Sequence, residues 1–319
     1  MSQIIKSINP QIHLTHLHSK PILSLIQLKD KRIATGTKDG SIFILNPLNQ
    51  IPFTLNIISK TNIHKGSIRC LCESEEGHLI SCAYKEIKIW SIFPENIIEI
   101  TTIEAHEDLI SKVITLTNSR IASCSADCTI KIWKSNFPFS EIHSFEIEDE
   151  RVWSIIQLSN KETLISSSCD YNRDSHSISF WDISTYQKEC TFEGLCTGSI
   201  HGLLELPGDK IAVSSSDLKC LVVIDVSRYV VITKIYDYNL FCDDEYYCSL
   251  KMVNKYSFCV VHREYFCQVL CDDNYKIVFK SKKEKEFKGS GLIIVENENG
   301  KGVIVDNFEN GLTMFNIEM

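Results

Sequence analysis

The feature that most constrains this chain is a frame that keeps returning. His18-Ser-Lys-Pro-Ile-Leu-Ser-Leu-Ile leads into Arg32-Ile-Ala-Thr-Gly-Thr-Lys-Asp-Gly-Ser-Ile-Phe-Ile-Leu45. His106-Glu-Asp-Leu-Ile-Ser-Lys-Val-Ile leads in the same way into Arg120-Ile-Ala-Ser-Cys-Ser-Ala-Asp-Cys-Thr-Ile-Lys-Ile-Trp133. The frame recurs from His64 to Trp90, Asp149 to Asp182 and Gly198 to Asp225, with worn copies from Glu245 to Cys271 and from about Phe287 to Ile317. The first apolar residue of each unit's first strand falls at Ile22, Ile68, Ile110, Val152, Ile200 and Tyr247, in steps of 46, 42, 42, 48 and 47 residues. The runs between are short, β-branched and broken by Lys-Asp-Gly at 38–40 and Pro-Gly-Asp at 207–209. That period, with no sustained helical stripe, marks four-stranded sheet units.

On these residues the chain resembles the WD-repeat β-propellers along nearly its whole length. The match is fullest in the third unit and thinnest in the last two. Trp181-Asp182 is a literal Trp-Asp pair, and Trp90 and Trp133 end the same Ile-Lys-Ile-Trp pattern without the aspartate. The resemblance implies an all-β fold, a closed β-propeller of seven four-stranded blades in which an N-terminal strand completes the last blade. A lone four-stranded sheet cannot bury both faces, whereas stacked neighbours can, and closing the ring leaves only short edges. The whole chain, 1–319, then reads as one domain: a closing strand and lead-in at 1–15, and blades near 16–60, 61–103, 104–145, 146–191, 192–235, 236–280 and 281–319. The spare strand is placed at Gln11 to Thr15, beside a last strand within Gly311 to Met319. Such pairing removes an aggregation-prone edge.

The resemblance also implies a buried hydrogen-bonded network of histidine, serine or threonine, aspartate and tryptophan in each blade. The third unit carries the full set as His106, Ser125, Asp127 and Trp133. The first has His18, Thr37 and Asp39, with Leu45 in the tryptophan's place; the second has His64 and Trp90 without the aspartate. The fourth has Ser168, Asp170 and Trp181, and the fifth keeps Ser215 and Asp217. Taken singly, such a set could be read as a hydrolase triad. Its return from blade to blade fits packing better, because active sites do not repeat and buried polar groups must be satisfied.

No catalytic motif stands up: there is no phosphate-cradling glycine loop, no Gly-x-Ser-x-Gly elbow and no His-Glu-x-x-His. Fourteen cysteines are many, but no Cys-x-x-Cys occurs, and Cys124/Cys128 and Cys267/Cys271 lack a second ligand pair. Neither a disulfide framework, a metal nor a cofactor is expected. The start lacks a signal-peptide core and no run is long and apolar enough for a membrane span. The cytoplasm is therefore the expected location, with the nucleus left open. A formal net charge of −8 disfavours non-specific binding to nucleic acid or anionic membrane. The segment Lys280 to Lys288, with five lysines and two glutamates, reads as a solvated loop or an acidic-partner site. Two family signatures are missing: the Phe-Arg-Arg-Gly of phosphoinositide-binding propellers, and the arginine that follows Trp-Asp in many ubiquitin-ligase receptors.

In such propellers partners often bind the face carrying the blade-joining loops. The side chains flanking the first-strand anchors and the turn aspartates would lie there: Arg69, Arg151, Trp153 and His201, with Lys38, Ala126, Cys169 and Ser216. The stretched fourth turn, Cys169 to Ser177, would add Tyr171, Arg173 and His176. The candidate partner-binding residues are thus Lys38, Arg69, Arg151, Trp153, Tyr171, Arg173 and His201, an aromatic and basic set of hot-spot types. The plainer alternative is that Trp153 packs on its own blade and the arginines are solvated. The leading function is a non-enzymatic scaffold or adaptor for other proteins, with no small-molecule substrate. A constitutive structural subunit of a large complex is the alternative. An enzyme with its site in the channel would need convergent carboxylates or metal ligands, which Leu23, Arg69, Ser111, Trp153 and His201 do not supply.

Overall fold

The computed structural model describes residues 7–14, 20–45, 57–60, 63–148, 150–159, 161–170, 175–195, 200–215, 220–236, 249–262, 265–271, 275, 277–280, 292–297, 300–306 and 312–318. Twenty-eight strands run through them. After β1 (Ser7–Leu14), the first blade is β2 (Ile22–Gln27), β3 (Ile33–Thr37), β4 (Ile42–Leu45) and β5 (Ile57–Lys60). The second is β6 (Ile68–Glu73), β7 (Leu79–Ala83), β8 (Glu86–Ile92) and β9 (Ile97–Glu104). The third is β10 (Ile110–Leu116), β11 (Arg120–Ser125), β12 (Thr129–Lys134) and β13 (Glu141–Glu146). The fourth is β14 (Arg151–Gln157), β15 (Thr163–Asp170), β16 (Ser175–Asp182) and β17 (Gln187–Glu193). The fifth is β18 (Ile200–Leu206), β19 (Lys210–Ser215), β20 (Cys220–Asp225) and β21 (Val230–Tyr236). The sixth is β22 (Ser249–Asn254), β23 (Ser257–His262), β24 (Tyr265–Leu270) and β25 (Ile277–Lys280), followed by β26 (Leu292–Asn297), β27 (Gly300–Asp306) and β28 (Leu312–Glu318).

The sheets correct the expected closed, seven-bladed propeller. Six blades are runs of four consecutive antiparallel strands, from β2 to β25. The remaining four-stranded sheet is a composite in the order β1-β28-β27-β26. No sheet is closed; each is an open ladder with two edge strands. The physical reason is that tight hairpins let each blade finish its hydrogen bonding before the chain moves on, and four strands are too few to curl into a barrel. What connects the sheets is the close approach of the innermost strands: β2 to β6, β6 to β10, β10 to β14, β14 to β18, β18 to β22, β22 to β26 and β26 to β2. β1 begins at Ser7 rather than Gln11 and runs antiparallel to β28 from Ser7 opposite Glu318 to Leu14 opposite Leu312. The Tyr247 anchor, and Tyr171, Arg173, Ser216, Asp217, His18 and most of the lysine segment, lie outside the described residues.

The core is divided among the seams between blades. Leu28, Ala34 and Ile44 of the first blade meet Ile68, Leu79 and Trp90 of the second. Leu158, Ile165 and Phe180 of the fourth meet Ile200, Val213 and Ile224 of the fifth. Each of the second to fifth blades therefore buries one face against each neighbour, at roughly 25 cal/mol per Å² of apolar area removed from water. The first turn shows how tightly the seams fit. Gly40 has φ +81°, and a Cβ there would stand 2.2 Å from the His64 carbonyl oxygen of the next blade. In the third blade Cys128 holds the matching left-handed place at φ 67°.

Candidate functional site

The polar networks come first, because they hold the blades that carry the site. In the third blade His106 Nδ1 lies 2.9 Å from Asp127 Oδ2, and His106 Nε2 lies 2.7 Å from Ser123 Oγ. The Trp133 indole donates to the same Ser123 oxygen at 2.8 Å. The expected Ser125 is therefore corrected to Ser123. Trp133 sits opposite Ile121 in the ladder. Two residues along a strand is about 7 Å and four about 13 Å, so the indole reaches Ser123 and not Ser125. Ser125 instead accepts from the Asp127 amide and donates to the Asp108 carbonyl, fixing the turn. Thr37 has the same turn-holding place in the first blade: it donates to Asp39 Oδ1 at 2.5 Å and accepts from the Ser41 amide at 3.1 Å. Burial works against charge on Asp127, but hydrogen bonds from His106, Thr129 and the Glu107 amide hold its carboxyl well below the ordinary range.

The second blade repeats this wiring with a different acid. His64 Nδ1 is 2.7 Å from Glu86 Oε1, His64 Nε2 is 2.7 Å from Ser81 Oγ, and Trp90 donates to Ser81 at 2.8 Å. Glu86 does the work of the missing aspartate. In the fourth blade Trp181 donates to Ser166 Oγ at 2.8 Å, which corrects Ser168 for the same reason of ladder distance. Ser168 instead binds Glu150 and Ser177, and Ser177 donates to Glu150 at 2.7 Å. Asp170 is buried at the end of β15. In the fifth blade the network has become apolar: Val213 replaces the serine and Ile224, opposite Ile211, replaces the tryptophan. Ser215 ends β19.

The candidate surface is built by a backbone device. In five innermost strands the register slips by one residue just after the anchor: between Ile22 and Ser24, Ile68 and Cys70, Ile110 and Lys112, Val152 and Ser154, and Ile200 and Gly202. The residues set into these bulges are Leu23, Arg69, Ser111, Trp153 and His201. A bulge leaves one residue out of the ladder and re-aims its side chain. Three of the five converge. Trp153 and His201 make an edge-to-face contact at 5.2 Å and 74°. Burial, together with the nearby Arg69 cation, lowers the His201 pKa to about 4. The Ser111 hydroxyl is buried without a hydrogen-bond partner among the described residues.

Trp153 is also held by its own blade, its indole donating to Cys169 Sγ at 2.9 Å. Arg151 and Lys38 are exposed, and Lys38 is tied at its backbone to Pro21 and Ser67. One neighbour had no sequence signal. Lys112, on β10, donates to Ser154 Oγ at 3.1 Å, and burial lowers its pKa. Among the described residues no group of three or more His, Cys, Asp or Glu could hold a metal ion. No helix among them is long and apolar enough to cross a membrane.

Comparison with known proteins agrees with this architecture. Residues 98–134 match the family model described as "WD domain, G-beta repeat". A curated relative, the transcriptional corepressor LEUNIG_HOMOLOG of Arabidopsis thaliana, is 32% identical over 136 residues, 42% of this chain and 16% of that protein. The chain thus spans a small part of that relative's length. Among solved structures, the WD40 beta propeller domain of Doa1 matches with a TM-score of 0.74 at 15% identity, over 98% of this chain and 96% of that one, a likeness of fold. The resemblance to WD-repeat propellers read from the sequence is shown by the repeat match, the relative and the shared fold together.

Proposed function

From a fold shared with WD40 propellers, we propose that this chain is a non-enzymatic scaffold that docks another protein on its blade-joining face, at the channel mouth. The observation that carries the reading is the repeated bulge, which sets Arg69, Trp153 and His201 into one group from three different blades. A half-buried tryptophan beside an arginine is the composition of an interface anchor. The basic mouth favours a partner segment carrying carboxylates, whose approach charge complementarity would hasten. We propose the cytoplasm as its location, with the nucleus left open, which cell fractionation tests.

The experiment is recovery of partners by pull-down, followed by affinity measurement. Trp153→Ala costs about 2 kcal/mol or more of partner affinity. Arg69→Glu and Arg151→Glu slow association, most visibly at low salt. Circular dichroism confirms that each variant is folded. If these variants bind normally while neutralising the lysines of 280–288 abolishes binding, the docking face is wrong. Size measurement separates the alternative: one fixed large complex would favour a constitutive structural subunit, and transient substoichiometric partners an adaptor.

A further inference from the structure

The second blade carries two cysteines directly opposite one another, Cys70 on β6 and Cys82 on β7. We propose that Cys70 and Cys82 form a peroxide-responsive dithiol that closes to a cross-strand disulfide at the seam between the second and third blades. The inference is independent of the docking surface.

Geometry comes first. Directly opposed residues of an antiparallel pair have Cα atoms about 4.5–5.5 Å apart, inside the span of roughly 4.4–6.8 Å that a disulfide accepts. Both side chains face the third blade, where Cys82 lies in the apolar cluster of Ile110, Val113 and Ile121 and Cys70 packs against it. The Cys82 sulfur stands 3.8 Å from the Cys70 carbonyl oxygen. Cys72 shares this face but is opposite Ile80, and Cys124 is opposite Lys112 on the next blade. The ladder therefore pairs Cys70 with Cys82 alone among the four.

The two thiols are also unlike. Cys70 is partly exposed and Cys82 fully buried. A hydrogen bond with Cys82 is the main cause that holds the Cys70 thiol down to about 7, against burial and with help from the Lys112 cation; the same bond and burial push Cys82 well up. One sulfur is suited to attack and the other to resolve. The Cys70 thiolate attacks one oxygen of hydrogen peroxide, the O–O bond breaks and hydroxide leaves, which takes the proton that Cys70 gave up. The Cys82 sulfur then attacks the Cys70 sulfenic acid, the S–O bond breaks, and water departs with the Cys82 proton. In sum, two thiols and one peroxide give one disulfide and two waters. The Cys70 S–H donates to the Val113 carbonyl across the seam at 3.2 Å, and oxidation removes that donor one residue from Arg69.

The full chain is treated with hydrogen peroxide, alkylated under denaturing conditions and cut with trypsin and a glutamate-specific protease, which separates residues 70–73 from Cys82. Expected is a linked pair of peptides joining Cys70 to Cys82, lighter by two hydrogens and released by dithiothreitol. Cys72→Ser keeps the link, and Cys70→Ser removes it. Cys82→Ser leaves a sulfenic acid at Cys70 that dimedone captures. A link that survives Cys70→Ser overturns the proposal. So does wild-type protein in which other cysteines oxidise while Cys70 and Cys82 stay reduced. Fragmentation of the wild-type linked peptide, with the link on Cys70 and the alkyl group on Cys72, decides without relying on the folding of any variant.

Discussion

The third and fifth blades have the same four-stranded order and solve the same problem differently. In the third, one face is wired by His106, Asp127, Ser123 and Trp133 through three polar contacts. In the fifth, Val213 and Ile224 stand where the serine and the indole would be, and both are fully buried. The difference teaches that the blade needs its space filled and its buried groups satisfied, but does not need the polar wiring as such. Replacing every partner of a buried polar set by apolar groups can be near neutral, whereas removing one partner leaves the others unsatisfied. The apolar blade depends on volume; the wired blade depends on completeness.

The largest expected effect breaks the apolar side of this comparison. Ile224→Ala leaves a cavity in the fourth–fifth seam and costs about 2–5 kcal/mol in denaturant melts. A cost below about 1 kcal/mol would show that the seam collapses to fill the space, against the close packing of protein interiors.

Next comes the wired blade. Asp127→Ala strands the His106 ring, the Thr129 hydroxyl and the Glu107 amide, at about 1–3 kcal/mol. The Asp127 carboxyl is held below its unfolded value, so this stabilisation is present above the ordinary carboxylate pKa and is lost as pH falls below it. Asp127→Ala should therefore cost less in acid than at pH 7, and equal costs at both would remove the charge from the account.

Val213→Ser sharpens the contrast by placing half a network in the fifth blade. With isoleucine at 224 there is no indole to donate, and the hydroxyl is buried at a cost of about 1–3 kcal/mol. The double change Val213→Ser with Ile224→Trp should recover part of that loss; a double variant no better than the sum of the singles would mean that the serine and the indole do not meet there.

The smallest effect is acid sensitivity at the mouth. His201 has a folded pKa of about 4, below its unfolded value of 6.5. Stability from keeping it neutral is full above 6.5 and is lost as pH falls towards 4. By pH 5 the loss amounts to about 1 kcal/mol after allowance for its partial exposure. Replacing His201 with Gln should flatten the melting curve's pH slope between 6.5 and 5, and an unchanged slope would place the titration elsewhere, with His64 next in line because burial lowers it too.

The sequence was most informative where the repeat kept its large side chains. Trp90, Trp133 and Trp181, with His64 and His106, sit in the expected blades because a tryptophan or a histidine in a fixed frame has few places to go. The serines were misread by two residues, because the frame was counted from the turn aspartate while the indole's reach is set by the ladder. Glu86 and Glu150 were missed because a longer acid from another strand or loop can meet the same donors, and one-dimensional spacing does not record that. The bulges were half legible: the residues after the anchors stood out by type, but the one-residue slip that gathers them is a property of paired strands. The N-terminal strand that completes the last sheet was legible as a spare strand ahead of the first unit, and the ladder only moves its start to Ser7; that no sheet closes on itself follows from hairpin completion, which a count of repeats does not reveal.

The pairing of β1 with β28 has a consequence in time. A ribosome makes residues 7–14 long before residues 312–318, so β1 has to wait for β28 before it gains its neighbour. Six blades can assemble locally as they emerge, each from consecutive strands, whereas the seventh sheet joins segments separated by most of the chain, the slow kind of contact. Until then an unpaired edge travels with the nascent protein. Chaperone dependence should therefore end when residues 312–318 have emerged and β28 can pair with β1.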